Sequence, residues 1–286
     1  MAQGHGLANK LWNASRLVLG RVGSAVRAQA SPAAPEDHWI LERLDQAIAE
    51  VHEAIDDFDF SRAALTLYDF IYAQLCDWYL ELVKPRLYDG DDDTAATLLH
   101  VLTQTLTLAH PLIPFVTEEI YAHLPGAKGL LAAREGFASA PPVDAAAAEE
   151  TERLIAAVQA VRAWRDGAGV RPGVVLKARL QAAGYAATAA QLARLGRLEL
   201  VADAGAGAVA ATIPVPSGTV DVLASDGFDA EAAARRREDK RRALAAETER
   251  AEAKLANPGF LAKAPPAVVD AERAKLATLR AELEAL

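Results

Sequence analysis

The sequence has 286 residues, of which 52% are hydrophobic and 24% charged, with one cysteine and a net charge of −9. That balance describes a soluble globular protein with ample material for a core, and at roughly 100–200 residues per domain it suggests two domains, or one with an appendage. Lone Cys76 excludes a disulfide framework or cysteine-rich zinc site, no apolar run approaches the roughly 18 residues of a membrane span, and no secretory core follows Lys10 and Arg16, so a reduced, cytoplasmic setting is expected.

From Gly6 to about Arg27, Leu7, Leu11, Ala14, Leu17 and Val18 recur every three or four residues, which predicts an amphipathic helix. Pro32 and Pro35 interrupt it. A second helix fits 37–56, with Leu41, Leu44, Ile48, Val51 and Ile55 on one face and Asp37 as its cap. A third runs from Ser61 to Leu87. It is apolar on most sides (Leu65, Leu67, Tyr68, Phe70, Ile71, Leu75, Trp78, Tyr79, Leu82), as the centre of a bundle should be. The acidic loop DGDDD (89–93) ends it and caps a fourth helix, 94–124, which Pro111 and Pro114 should break near His110. After a Gly/Ala/Pro-rich stretch to Ala145, another helix carries Leu154, Ile155, Val158, Val161 and Trp164.

From Val170 the period changes. VVLKARL (174–180), LELVA (198–202), VAATIPV (209–215) and TVDVL (219–223) read as short strands, with a helix over 186–195 between the first two. In the last 59 residues Val269, Glu272, Leu276, Leu279, Leu283 and Leu286 repeat at 3, 4, 3, 4, 3, and Leu244, Thr248, Ala251 and Leu255 at 4, 3, 4. These are two heptad seams, and NPGF (257–260) between them predicts a tight reversal and an antiparallel coiled-coil hairpin. The fold class is therefore mainly α: a helical bundle over 1–145, a helix with a small α+β connector over 146–227, and a coiled-coil arm over 228–286.

Charge is unevenly placed. Residues 1–35 carry +4, 36–130 carry −13, 131–227 carry −1 and 228–286 carry +1, so both ends remain open to a polyanion despite the total. The octet RRREDKRR (235–242) holds six cations in eight positions, read either as a solvated helix face with i,i+4 pairs or as contacts to phosphates.

The residues offer little catalysis. The six histidines form no H-E-x-x-H pair or His/Cys cluster, and there is no G-x-S-x-G and no phosphate loop. GAGAVA (205–210) lacks the third glycine of a dinucleotide loop. His110 reads as a packed core residue, Cys76 as inert packing, and Trp78, Tyr79 and Leu82 as core rather than a stacking platform.

The segments NKLWNASR (9–16), FDFSRAALTLYDFIYAQLCDWYLELVKP (58–85), HPLIPFVTEEIY (110–121), VRAWRDGAGVRP (161–172) and KLANPGFLAKAPPAVVDAERAKL (254–276) follow one another along nearly the whole chain. Together they resemble the C-terminal part of the valyl-tRNA synthetase family, class I aminoacyl-tRNA synthetases. The resemblance implies an anticodon-binding bundle, a connector and a coiled-coil arm against the tRNA elbow, with tRNA-Val as partner and no membrane. It implies ATP and Mg only for a complete enzyme, whose His-x-Gly-His and Lys-Met-Ser-Lys-Ser signatures have no counterpart here. The chain alone is thus expected to be inactive and to hold no cofactor, with its catalytic half missing or separately encoded. Lys10, Asn13 and Leu17 share one face of the opening helix: Lys10 for a phosphate or base edge, Asn13 for a base edge, and Leu17 either for a splayed base or for the core. Arg162 and Arg165 are further anticodon candidates, and Arg235, Arg236, Lys240 and Arg242 are the outward cations of the arm. The other class of reading is a non-catalytic helical scaffold with a coiled-coil arm.

Overall fold

A computed structural model describes residues 2–22, 30–134, 136–202, 207–224 and 230–284, in two compact units, 1–155 and 156–286. Leu286 and part of GAGAVA lie outside the described residues, and the side chains of Arg237 and Lys240 outside the described side chains.

The first unit is a bundle. Its helices are α1 (Ala2–Leu19), α2 (Pro35–Asp56), α3 (Phe60–Asp69), α4 (Leu80–Tyr88), α5 (Asp92–Ala109) and α6 (Pro114–Ala122), and α7 (Ala145–Gly167) begins within it. The opening helix stops at Leu19, short of the expected end near Arg27: Gly20 directly after it is a poor helix former, although buried Val22 continues the apolar repeat. The expected break at the prolines is present, with α5 ending at Ala109 and Pro114 occupying the first turn of α6, where its missing N–H costs nothing. His110 Nδ1 sits 2.9 Å from the Thr117 hydroxyl, a packed role as expected.

Between α3 and α4 the chain winds as a π-helix over Phe70–Tyr79, which periodicity alone did not reveal. Leu67, Ile71, Leu75, Tyr79 and Val83 recur every fourth residue and are all buried. In an α-helix of 3.6 residues per turn such a line drifts around the axis, and the wider i→i+5 winding reverses the drift and keeps the line on the core. Leu65, expected inside, stands two residues before buried Leu67 and so on the opposite side of α3, where it is 63% exposed, and Tyr68 and Trp78 are only half-buried. Cys76 is buried, and burial pushes its thiol up to about 11, as inert packing requires. The charge of Lys10 on α1 opposes that shift.

Asp37 is not the cap of α2 but its third residue. Its carboxylate accepts from the Ala33 and Ala34 amides at 3.1 and 3.2 Å, from the Tyr79 hydroxyl at 2.9 Å and from Arg86 Nη1 at 2.9 Å. Arg86 also donates to Glu36 at 3.2 Å and to Asp91 at 2.9 Å. Asp91 caps α5, accepting from the Asp93 and Thr94 amides as the acidic loop predicts. Burial, first, pushes the Glu36 carboxyl above its ordinary range, reinforced by Asp37 and opposed by a backbone hydrogen bond and by Arg86. A native state that holds this proton more tightly than the unfolded chain gains stability as pH falls through that range and is penalised above it. Glu36→Gln should therefore raise the melting temperature at neutral pH, with the gain fading in acid as Glu36 itself protonates. A lower melting temperature at neutral pH would refute this.

In the second unit, β1 (Leu176–Ala182), β2 (Leu198–Leu200), β3 (Val209–Val215) and β4 (Gly218–Leu223) form one sheet in the order β2-β1-β4-β3. The helix α8 (Ala189–Gly196) connects β1 to its parallel neighbour β2, and β3 and β4 form an antiparallel hairpin. Its turn requires Gly218, where a Cβ would come within 2.1 Å of the Gln181 carbonyl oxygen. The long helices α9 (Ala230–Ala256) and α11 (Pro266–Glu284) pack together. Lys254 bonds Glu272 and Arg280 bonds Glu252, both at 2.7 Å, a crossed order that makes the hairpin antiparallel. The seam is the one the heptads predict: Thr248, Ala251, Val269 and Leu279 are buried, and Leu244, Leu255, Leu276 and Leu283 half-buried. The reversal is longer than a tight turn, because Asn257 caps a short helix α10 (Pro258–Lys263), accepting from the Gly259 amide at 2.8 Å.

Candidate nucleic-acid interface

Helix α1 buries Leu7, Leu11, Ala14 and Val18, and so the opposite stripe, Asn9, Trp12, Asn13, Arg16 and Gly20, faces solvent. Asn13 stands in the middle of it. Lys10 lies at its edge, bonded to Asp77 at 2.9 Å and 5.1 Å from the Tyr72 ring centroid. The hydrogen bond to Asp77 is the main reason its pKa is raised, so its charge is secure. Leu17, at the other edge, is half-buried and packs on the core. Of the three sequence candidates, then, one is fully presented, one is presented in an ion pair, and one is mostly committed to packing.

Beside this stripe, α1 and α6 enclose an open cleft of ≈ 440 Å³ lined by Trp12, Ser15, Arg16, Leu19, Gly20, Ile120 and His123. An indole 37% exposed, next to a guanidinium, can stack on a base while the cation meets its phosphate. Sequence reasoning missed Trp12 and Arg16, although the buried repeat already places them opposite the core. His123 lies too far along the chain for any local pattern to have joined it to them.

In the second unit Arg165, expected among the RNA contacts, is only 7% exposed. It donates to the Val174 carbonyl at 2.6 Å and to those of Arg171 and Arg197 at 3.4 Å. It ties the entry of β1 to the end of α8, and its fork has no face left for a ligand. Arg162 is exposed, with Nε 3.4 Å from the Leu195 carbonyl. On the arm, Arg242 pairs with Glu238 at 3.1 Å and Arg235 with Glu231 at 3.6 Å, both i,i+4 as the solvated-face reading has it. Arg236 reaches the Gly169 carbonyl at 3.4 Å.

Among the described residues, no group of three or more His, Cys, Asp or Glu could hold a metal ion, and no helix is long and apolar enough to cross a membrane. The acids that converge on Arg86 are already occupied by its guanidinium. The described residues therefore do not fit an ATP–magnesium centre.

Residues 37–180 match the family model of the anticodon-binding domain of tRNA ligase, and residues 229–286 match that of the valyl tRNA synthetase tRNA binding arm. The chain is 37% identical over 281 residues to the valine--tRNA ligase of Streptomyces coelicolor, covering 94% of this chain and 31% of that protein. It is 36% identical over 300 residues to that of Carboxydothermus hydrogenoformans, covering 98% and 33%, and 35% identical over 275 residues to that of Thermus thermophilus, covering 94% and 31%. The chain spans about a third of the length of these relatives.

Proposed function

The chain belongs to the family of the anticodon-binding domain of tRNA ligase, and from this premise we propose that it is the tRNA-binding C-terminal portion of a valine--tRNA ligase, with tRNA-Val as its partner in the cytoplasm. The observation that carries the reading is the pairing, in one chain and in this order, of an anticodon-binding match over 37–180 and a tRNA-arm match over 229–286. Ligation of valine, with its ATP and magnesium, belongs in this reading to a catalytic half outside the matched third of the relatives, on the same or a separate polypeptide. The working division is bundle 1–145, connector 146–227 and arm 228–286.

The solvent stripe of α1 meets the anticodon loop. Asn13 reads a base edge, Lys10 and Arg16 meet phosphates or base edges, Trp12 stacks, and Leu17 backs the stack from the core side. Arg165 takes no part, because backbone carbonyls already hold it, and Arg162 lies in the second unit, apart from this stripe in sequence. Lys10→Ala removes one exposed ion pair, worth at most about 1 kcal/mol, and so should not unfold the bundle. Asn13→Ala and Arg16→Ala alter exposed side chains and should change stability by under about 0.5 kcal/mol. Binding of a valine anticodon stem-loop should weaken by roughly 1–3 kcal/mol for the base contact at Asn13, and Arg16→Ala should lower the salt slope by about one. Stem-loop affinity unchanged in all three variants would remove α1 from the interface.

A further inference from the structure

The near-neutral stretch 131–227 hides a strongly basic core. Residues 156–202 hold seven cations (Arg162, Arg165, Arg171, Lys177, Arg179, Arg194, Arg197) and two acids (Asp166, Glu199), inside a chain of net charge −9. The fold gathers three of these cations around one open cleft of ≈ 400 Å³ at the end of α8: Arg162, Arg194 and Arg197, over an apolar floor that includes Val175, Leu195 and Leu198. All three arginines are exposed. Glu199 follows Leu198 on β2, so it points to the other face of the strand. Asp166 stands one turn after Arg162 on α7, and Arg162 Nε lies 3.4 Å from the Leu195 carbonyl. Arg165 beneath them has a lowered pKa, through burial first and the charge of Arg197 second, so Arg197 already works against a cationic neighbour.

The backbone adds an independent sign. Arg197 closes α8 in the left-handed conformation, φ 52°, a position that glycine fills most readily and that strains other L-residues. A glycine is adjacent, at 196, where a Cβ would approach Val161 and Leu198 at 3.3 Å. The strained position instead carries an arginine, and strain kept at an exposed cation directs attention to what the cation meets.

We propose that Arg162, Arg194 and Arg197 form a phosphate-binding cleft that takes the sugar–phosphate backbone of RNA, separate from the α1 stripe and from the arm; the inference rests on the tRNA reading above. The planar guanidinium forks suit phosphate oxygens, and the apolar floor accommodates a ribose between them.

The test uses the full chain with two probes, a tRNA transcript carrying a valine anticodon and a short RNA duplex without loops, each titrated across a salt series. Arg197→Gly relieves the backbone strain, so its melting temperature should hold or rise while the salt slope for both probes falls by about one. Arg194→Gln with Arg197→Gly should lower the slope by about two. Arg62→Gln, which removes a paired arginine from the acidic bundle, should leave both slopes unchanged. Unchanged slopes in the Arg197 and Arg194 variants, with the wild type binding tRNA, overturn this site and leave the tRNA reading standing. An equal fall for Arg62→Gln also overturns it, because net charge alone then explains the loss. A wild type that binds the duplex through these arginines but not tRNA would support the cleft and sink the tRNA reading. Binding to neither probe would sink both.

Discussion

Arg86→Ala should destabilise the bundle by about 3–5 kcal/mol, the usual cost of breaking a buried ion pair from one side. Its partners Glu36 and Asp37 are 1% and 0% exposed, whereas the Arg86 side chain is 23% exposed. Alanine therefore opens a path for water at the arginine's position but leaves both carboxylates inside. Asp37 would keep its two backbone amides and Tyr79, and Glu36 would lose the cation that offsets its burial. Without Arg86 the folded-state pKa of Glu36 should rise further, so the variant's stability deficit should shrink as pH falls and the native state takes up a proton. Urea denaturation of wild type and variant at neutral and mildly acidic pH checks both parts. A deficit under about 1 kcal/mol at neutral pH, or one that grows in acid, would mean that water or another cation replaces the arginine.

This network shows where sequence reasoning stops. The helices and strands were legible because burial imposes a period. The apolar repeat of 37–56, the prolines after His110, the acidic cap at Asp91 and the heptads of the arm are local signals, and each has its counterpart in the fold. Asp37 was misread as a cap because its partners Tyr79 and Arg86 lie on another helix, and no local rule distinguishes an N-cap carboxylate from one at the third helical position. The π-helical winding was hidden for a different reason: a spacing of four also fits an α-helix, and only packing decides. The same split holds for the candidate interfaces. Asn13 was singled out through the resemblance carried by NKLWNASR, and amphipathicity accounts only for its place opposite the buried repeat, whereas the arginine cleft was averaged away by summing charge over 131–227. A shorter window would have exposed the basic run, though not its convergence at the end of α8.

Deleting residues 229–286 should weaken binding of full-length tRNA and lower its salt slope by about two to three, while binding of an isolated anticodon stem-loop stays nearly unchanged. The seam that holds the arm together is modest. Its buried members Thr248, Ala251, Val269 and Leu279 are mostly small, and its cross-helix pairs Lys254–Glu272 and Arg280–Glu252 involve largely exposed cations, each worth at most about 1 kcal/mol. The bundle has a core of its own in the other compact unit, so a loss confined to stability is not the expected outcome. The octet at its start presents Arg235 and Arg242 in exposed i,i+4 pairs with Glu231 and Glu238, and pairs of that kind are worth only about 0.2–0.5 kcal/mol. A phosphate can displace them at little cost, releasing counterions from the RNA as it does so. Arg236 and Lys240 add to the same run of cations. If the deletion weakens the stem-loop and the full tRNA equally, the arm is a strut and its cations are a solvated helix face. If it weakens only the full tRNA, and four charge-reversing substitutions at Arg235, Arg236, Lys240 and Arg242 reproduce the change in slope, the arm holds the RNA through these side chains and not through its shape.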